Sequence, residues 1–293
     1  MEKGVFVLGE LNVDLIFTGE DITPELYKEK LVDNFELALG SSSAITACCL
    51  AGLGMNVYFV SVVGDDLFGK FCMEQLKTKG VDTRFIKVDP TVKTGATLSL
   101  STKTDRALLT YMGAISGLQP SHLPEELFNF AEHIHFGSFY LQENMQQSWK
   151  VLFSKAKNNR ITTSFDTGWD PHNLWKQTEI SELLEFTDLF IPSETELVSI
   201  FPGYELTDLL ETLPKNRNLI AVKRGAKGAM LIEANNDTLQ MSAFDVKPID
   251  TTGAGDSFNA GLIAGYLSGK KKRGTARVCK CLWCPRNSPD WRS

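Results

Sequence analysis

The chain has 293 residues, of which 43% are apolar and 23% charged, and its formal net charge is −6. That length suits one large α/β domain or two modest ones. The acidic balance argues against a nucleic-acid face, and no apolar run is long enough to span a bilayer. Met1-Glu2-Lys3-Gly4 leads straight into a strand-like segment without a leader layout, so the sequence reads as soluble and cytoplasmic.

Val5 to Leu8 is a short apolar run ending at Gly9, which predicts a buried strand and a turn. Leu11 to Phe17 and Leu31 to Leu39 read as two further strands, before the small-residue stretch Gly40-Ser41-Ser42-Ser43. Ser43 to Leu53 has a helical pattern with Ser43 as the expected N-cap and Gly54 as the stop. Asn56 to Val63 predicts a buried strand, and Asp66 to Lys79 a helix closed by Gly80. The alternation goes on through His133 to Phe136, a helix from Gln146 to Lys157, Ile161 to Phe165, Asp188 to Ile191, Leu219 to Val222 and a helix from Ser257 to Leu267. Such alternation marks an α/β protein with a mainly parallel sheet covered on both faces.

One region breaks the rhythm. Thr94 to Ser101 and Arg106 to Met112 are β-rich runs joined by Thr102-Lys103-Thr104-Asp105, which predicts a hairpin. With the strands near 11–18 and 31–38, the 94–112 region forms a small separate sheet, expected to project from the carboxyl edge of the core as a lid. Cys48, Cys49 and Cys72 lie in apolar helical surroundings and read as small buried hydrophobes.

The stretch Asp250-Thr251-Thr252-Gly253-Ala254-Gly255-Asp256 carries the chemistry. Small residues before a helix let backbone N–H groups approach an anion, and the helix N-terminus adds a favourable dipole. Charge developing on a transferring phosphoryl group would be stabilised there. Asp256, at the helix start, is placed to take a proton from an attacking hydroxyl. The plainer alternative is a loop with an ordinary Asp at a helix start.

Residues 250–256 fit the Asp-Thr-x-Gly-Ala-Gly-Asp signature of the PfkB/ribokinase carbohydrate kinases, and the chain resembles that family over roughly its first nine-tenths. Gly9-Glu10-Leu11-Asn12-Val13-Asp14, Gly64-Asp65-Asp66-Leu67-Phe68-Gly69 and Lys223-Arg224-Gly225-Ala226-Lys227-Gly228 match further family segments in order. The resemblance implies a ribokinase-like three-layer α/β/α core with a β-sheet lid, in one kinase domain. It implies ATP and Mg²⁺ as cofactors, Asp256 as catalytic base, and the amides of Gly253, Ala254 and Gly255 as anion hole. Asn12, Asp14, Gly40, Ser41 and Asp166 become the acceptor-binding residues. Ser193, Lys223, Gly225, Gly228 and Thr252 fall to the nucleotide, and Glu196 to water-held Mg²⁺. A small sugar is the implied partner, and a homodimer through the lid is the implied assembly.

The sequence departs from the family pattern at several points. Gly40 is followed by Ser41 where a second Gly is usual, and Ile45 stands in place of Asn. Ser193 replaces an Asn ahead of Glu196. Asp170 occupies a position that carries Arg in kinases of sugar acids, so a neutral sugar such as fructose or ribose is expected over its carboxylate counterpart. A nucleoside or sugar-acid kinase, or a binding relic with little activity, is the alternative.

After Gly269 the pattern stops. Residues 270–293 have no helical period and hold Cys279, Cys281 and Cys284, a weak metal motif without a fourth ligand. Codon logic points elsewhere. Trp283-Cys284, read one base on, must give Gly, and one permitted shifted reading of 274–293 is ELHEYANAFGALATPRTGG, which resembles the family's C-terminal helix. The run Lys270-Lys271-Lys272 is the expected slip site, so the tail reads as frameshifted, without the packed helix the fold needs.

Overall fold

The computed structural model describes residues 1–102, 106–201, 203, 206–243 and 253–269. Its larger sheet is built from β1 (Gly4–Leu8), β4 (Val57–Gly64), β5 (Asp82–Asp89), β8 (Ala131–Phe136), β9 (Thr162–Phe165), β10 (Leu189–Phe190), β11 (Leu219–Lys223), β12 (Ala229–Ile232) and β13 (Thr238–Met241). The order is β13-β12-β11-β10-β9-β8-β1-β4-β5. Strands from β11 to β5 run parallel, and β12 and β13 add an antiparallel edge. The smaller sheet, β3-β2-β6-β7, joins β2 (Asn12–Thr18), β3 (Asn34–Leu39), β6 (Gly95–Ser101) and β7 (Arg106–Tyr111).

β1 is buried along its whole length because helices cover both faces of the sheet. Val5 and Val7 pack with α1 (Ser42–Gly52), α2 (Leu67–Thr78) and α8 (Ala254–Leu267), whereas Phe6 and Leu8 face the layer of α3 (Leu127–Phe130), α4 (Gln146–Asn158), α5 (Gln177–Leu184), α6 (Glu194–Ile200) and α7 (Leu206–Thr212). An aromatic ladder fills the second layer: Phe136 stacks on Trp149 at 3.8 Å between ring centroids, and Phe165 on Phe190 at 4.7 Å. Cys72 is buried and Cys48 and Cys49 are half-buried, none of them in a disulfide, as small helical hydrophobes should be.

Three local expectations are corrected. The third strand begins at Asn34, not Leu31. The N-cap of α1 is Ser41, whose Oγ accepts from Ala44 N–H at 3.0 Å, because Ser43 is fully buried and turned toward Glu10. The last helix begins at Ala254, so Asp256 lies in its first turn. The 270–293 tail and Asp250–Thr252 lie outside the described residues. No helix among the described residues is long and apolar enough to cross a membrane.

The lid is rooted by the Gly64–Gly69 turn. Asp66 caps α2 through Gly69 N–H at 2.8 Å, and its carboxylate also accepts from Thr94 N–H and Thr94 Oγ1, both at 2.8 Å. Thr94 Oγ1 accepts in turn from Gly64 N–H at 3.0 Å. Residue 94 is where the chain enters β6, so one carboxylate holds both a helix start and the lid hinge. A Cβ on Gly69 would lie 2.3 Å from Gly64 O, which is why this turn needs glycine there. Asp66→Ala should lower unfolding free energy by about 2–3 kcal/mol, a lost cap plus the hinge bonds. It should also speed amide exchange in β6; urea unfolding that changes by less than ~0.5 kcal/mol would show that the hinge is held elsewhere.

Candidate active site

The carboxyl ends of β1, β9, β10 and β11 meet the start of α8. Gly253 enters the helix with φ 74°, a left-handed conformation that glycine adopts without strain, and supplies no side-chain cap. The first intrahelical bond runs from Ser257 N–H to Gly253 O at 2.9 Å. The amides of Ala254, Gly255 and Asp256 therefore have no helical acceptor. Asp256 is half-buried in this first turn, and its Oδ1 accepts from Ser42 Oγ at 2.6 Å. Burial raises its carboxyl, and nearby Asp166 adds to that. The Ser42 hydrogen bond and Lys223 pull it back, leaving it pushed up to about 7.

Beneath this turn lies a buried ion pair. Asp166, at the end of β9, accepts at Oδ2 from Lys223 Nζ at 2.9 Å and Asn259 Nδ2 at 2.8 Å, and at Oδ1 from Gly168 N–H at 3.0 Å. Burial alone would raise the Asp166 carboxyl, but the Lys223 ammonium holds it below its ordinary value. For Lys223, burial opposes the charge and Asp166, Glu196 and Asp256 outweigh it, so its ammonium is held above the usual range. A Cβ on Gly255 would meet Lys223 Nζ at 3.6 Å, which places this cation just under the glycine of the motif.

The acceptor-side expectations converge on one corner. Asn12 Nδ2 donates to Asp14 Oδ1 at 3.3 Å. A Cβ on Gly40 would come within 2.3 Å of Asp14 Oδ1 and 2.5 Å of Asn12 Nδ2, so any side chain there would displace those two groups. Ser41 stands at φ 74°, ψ 121° where the family carries glycine, and it is anchored by its own hydroxyl donating to Glu10 O at 2.6 Å. Glu10 is buried and accepts from Ser43 Oγ at 2.9 Å, Ser138 Oγ at 3.0 Å and Gln142 Nε2 at 3.3 Å. Burial raises its carboxyl despite these donors.

On the other side, Ser193 and Glu196 close a reciprocal capping box at the start of α6: Ser193 N–H donates to Glu196 Oε2 at 2.7 Å, and Glu196 N–H to Ser193 Oγ at 3.2 Å. Thr167 Oγ1 also reaches Glu196 Oε2 at 3.4 Å. The two bonds that reach the Glu196 carboxylate, from Ser193 N–H and Thr167 Oγ1, both use Oε2, so Oε1 is the oxygen that could order metal-bound water. Among the described residues no group of three or more His, Cys, Asp or Glu is placed to hold a metal ion directly. Gly225 has φ 54° and open space beside its Cα, whereas Gly228 is locked: a Cβ there would lie 1.8 Å from Met241 O. Thr252 lies outside the described residues.

Asp170 does not act as its sequence position suggested. It is buried, and its carboxylate accepts from the N–H groups of His172 at 2.9 Å and of Leu174 and Trp175 at 2.7 Å. It shapes the loop and does not face a ligand, so the charge-repulsion ground for preferring a neutral sugar is withdrawn.

Sequence reasoning did not single out Asn259, Glu10 or Ser138, and it took Ser42 only within the stretch Ser41 to Ser43. Asn259 left a signal, a polar residue three positions after Asp256 in an otherwise apolar helix. The role of Ser42 left none, because its partner is far away in sequence. The strained turn yields a test: Ser41→Gly should stay within about 1 kcal/mol of the parent, because strain relief offsets the lost hydroxyl contacts, whereas Ser41→Ala keeps the strain and should cost about 2 kcal/mol. Ala equal to or better than Gly in urea unfolding would show that the turn stores no strain.

Residues 2–279 match the pfkB family carbohydrate kinase profile. The 2-dehydro-3-deoxygluconokinase of Bacillus subtilis is 29% identical over 253 residues, covering 81% of this chain and 77% of that protein. The ribokinase of the same organism is 25% identical over 270 residues, covering 92% and 87%. The structure of an uncharacterized sugar kinase from Pyrococcus horikoshii in complex with ATP superposes with a TM-score of 0.80 at 25% identity, covering 96% of this chain and 95% of that one. With a match that spans nearly the whole chain, this chain belongs to the pfkB family of carbohydrate kinases.

Proposed function

We propose that the protein transfers the γ-phosphoryl group of MgATP to a hydroxymethyl group of a small, neutral sugar such as fructose or ribose. The carrying observation is the half-buried Asp256 carboxylate set in the uncapped first turn of α8. MgATP would supply the phosphoryl group and the metal charge that neutralises it. Asp256 accepts the proton of the attacking hydroxyl as the P–O bond forms, and the amides of Gly253, Ala254 and Gly255 face the oxygens on which charge gathers. Asn12, Asp14, Gly40 and Ser41 hold the sugar. Asp166, read as a further acceptor contact, also holds Lys223 in place under the glycine turn. Ser193, Gly225, Gly228 and Thr252 border the nucleotide, and Glu196 orders water around Mg²⁺. The lid closes over the sugar and excludes water as a competing acceptor.

The neutral substrate rests on the charges gathered at this corner. Asp14, Glu10, Asp166 and Asp256 are carboxylates, and Lys223 is already paired with Asp166. The similarity to a 2-dehydro-3-deoxygluconokinase favours a second reading, a sugar acid. Exposed Phe35, Leu108, Leu109 and Tyr111 on the small sheet support a homodimer through the lid. For the tail, the shifted reading frame stands as our proposal.

ADP release should be followed with fructose, ribose, a nucleoside and a sugar acid, using this chain and a frame-restored one. Higher kcat/KM for a neutral sugar than for its carboxylate counterpart supports the proposal, and the reverse order establishes the sugar-acid reading. Asp256→Asn should lower kcat by about a hundredfold or more with sugar binding nearly unchanged. More than a tenth of the parent turnover would remove Asp256 as the base. A carboxyl raised in the folded state favours folding below its unfolded pKa and loses that contribution as pH rises through about 7. Asp256→Asn should therefore be at least as stable as the parent at pH 8, so lost turnover is not lost fold.

A further inference from the structure

The turn that meets the acceptor residues also grips the base. Gly40 abuts Asn12 and Asp14, Ser41 caps α1, and Ser42, the first residue of that helix, donates to Asp256 Oδ1 at 2.6 Å. Four residues on, Thr46 Oγ1 donates to Asp256 O at 3.4 Å, and seven residues on, Cys49 Sγ lies 3.5 Å from Ser257 Oγ. Residues at this spacing share one helix face. A polar stripe of α1 thus docks on the opening turn of α8, within a seam otherwise filled by Ala47, Leu50, Phe258 and Leu262.

We propose that Ser42 is the positioning residue of the base: its hydroxyl holds Oδ1 of Asp256, leaves Oδ2 to take the acceptor's proton, and ties the carboxylate to the turn that carries the sugar contacts. The kinase reading supplies the proton-transfer role, whereas the contact itself is independent of that reading. Among the described residues Oδ2 takes no hydrogen bond. The charged groups around Asp256 are Asp166 from β9, Lys223 from β11 and Glu10 after β1; the two carboxylates raise its pKa and Lys223 lowers it. Ser42, from α1, is the neutral donor that lowers it. A hydrogen bond to the charged form favours that form, so removing it must raise the pKa. The sign is opposite to that of a purely packing residue, whose loss would lower stability and leave the titration unchanged.

The test compares the full-length protein with Ser42→Ala and Ser42→Thr. The cap on α1 is the preceding Ser41, so Ser42→Ala leaves the cap in place. The Asp256 carboxyl ¹³C resonance, assigned by its absence in Asp256→Asn, is titrated in each. Ser42→Ala should move its midpoint up by about one pH unit, equivalent to a tenfold change in ionisation, and Ser42→Thr should restore it. In ADP-release assays the acid limb of the kcat profile should move with it. Then kcat at pH 7 falls about fivefold, recovers toward pH 9, and the sugar KM stays within about twofold. The same midpoint in parent and Ser42→Ala overturns the proposal, as does a loss of kcat uniform across pH together with a lowered unfolding temperature. A shifted midpoint in a protein that phosphorylates no sugar, frame-restored or not, upholds the contact and overturns the kinase reading instead.

Discussion

The Asp166–Lys223 pair is the interaction on which this site rests. It joins the end of β9 to the end of β11, and Asn259 adds the third member from α8, with Nδ2 2.8 Å from Asp166 Oδ2 and Oδ1 3.4 Å from Lys223 Nζ. A buried pair is retained only when its remaining hydrogen-bonding positions are satisfied, and here Gly168 N–H takes the other carboxylate oxygen. Removing one partner would strand a buried charge and typically cost about 3–5 kcal/mol. The pair also fixes where the cation sits. Lys223 is held under Gly255, so positive charge backs the helix start where transferred negative charge would gather.

That placement has an electrostatic consequence for the base. Asp166 neutralises part of Lys223, and the remaining field at Asp256 is set by burial and two neighbouring carboxylates against one lysine and one hydroxyl. Such an environment keeps a carboxyl near the operating pH, where a general base is most effective. The same interior keeps His133 and His135 neutral: burial lowers both, and His135 falls to about 4. Ser164 Oγ bridges them, 2.6 Å from His133 Nε2 and 2.8 Å from His135 Nδ1. A histidine with a depressed folded pKa supports folding above its unfolded value and withdraws that support as pH falls, from about 6.5 toward 4 for His135. Asp256 acts in the opposite direction on stability as pH changes.

The small sheet and the core are linked by short hydrogen-bonded turns and by Val13, Leu37, Leu39 and Ala96, which pack with the core. Asp66 holds residue 94 at the root of β6, and Gly40 packs on Asn12 and Asp14 at the root of β2. The glycine at 40 and the hydroxyl at 41 meet opposite needs. At position 40 a side chain would push Asp14 and Asn12 aside, whereas position 41 accepts a strained backbone angle because its hydroxyl bonds both the helix start and Glu10 O.

The sequence by itself determined the layered α/β pattern, the lid hairpin and the anion-binding turn, because each depends on local periodicity or on small residues at fixed spacing. Gly253, Ala254, Gly255 and Asp256 were legible for that reason, whereas Asn12 and Asp14 were singled out only by the family resemblance. Family resemblance then extended the reading to Glu196 and Lys223. Tertiary structure alone decided what those groups touch. Ser42 and Asp256 stand 214 positions apart, Asn259 and Asp166 93 apart, and Lys223 and Asp166 57 apart. These distances close only when the sheet order sets β9 and β11 on either side of β10 and lays α1 against α8. The same long-range order redirected residues whose local pattern misled: Ser43, expected as a cap, is buried against Glu10, and Asp170, expected to face a ligand, is consumed by three backbone amides of its own loop. A side chain's spacing along the chain fixes which element carries it, but its charge and hydrogen bonds are spent on whichever partners the fold brings within about 3 Å.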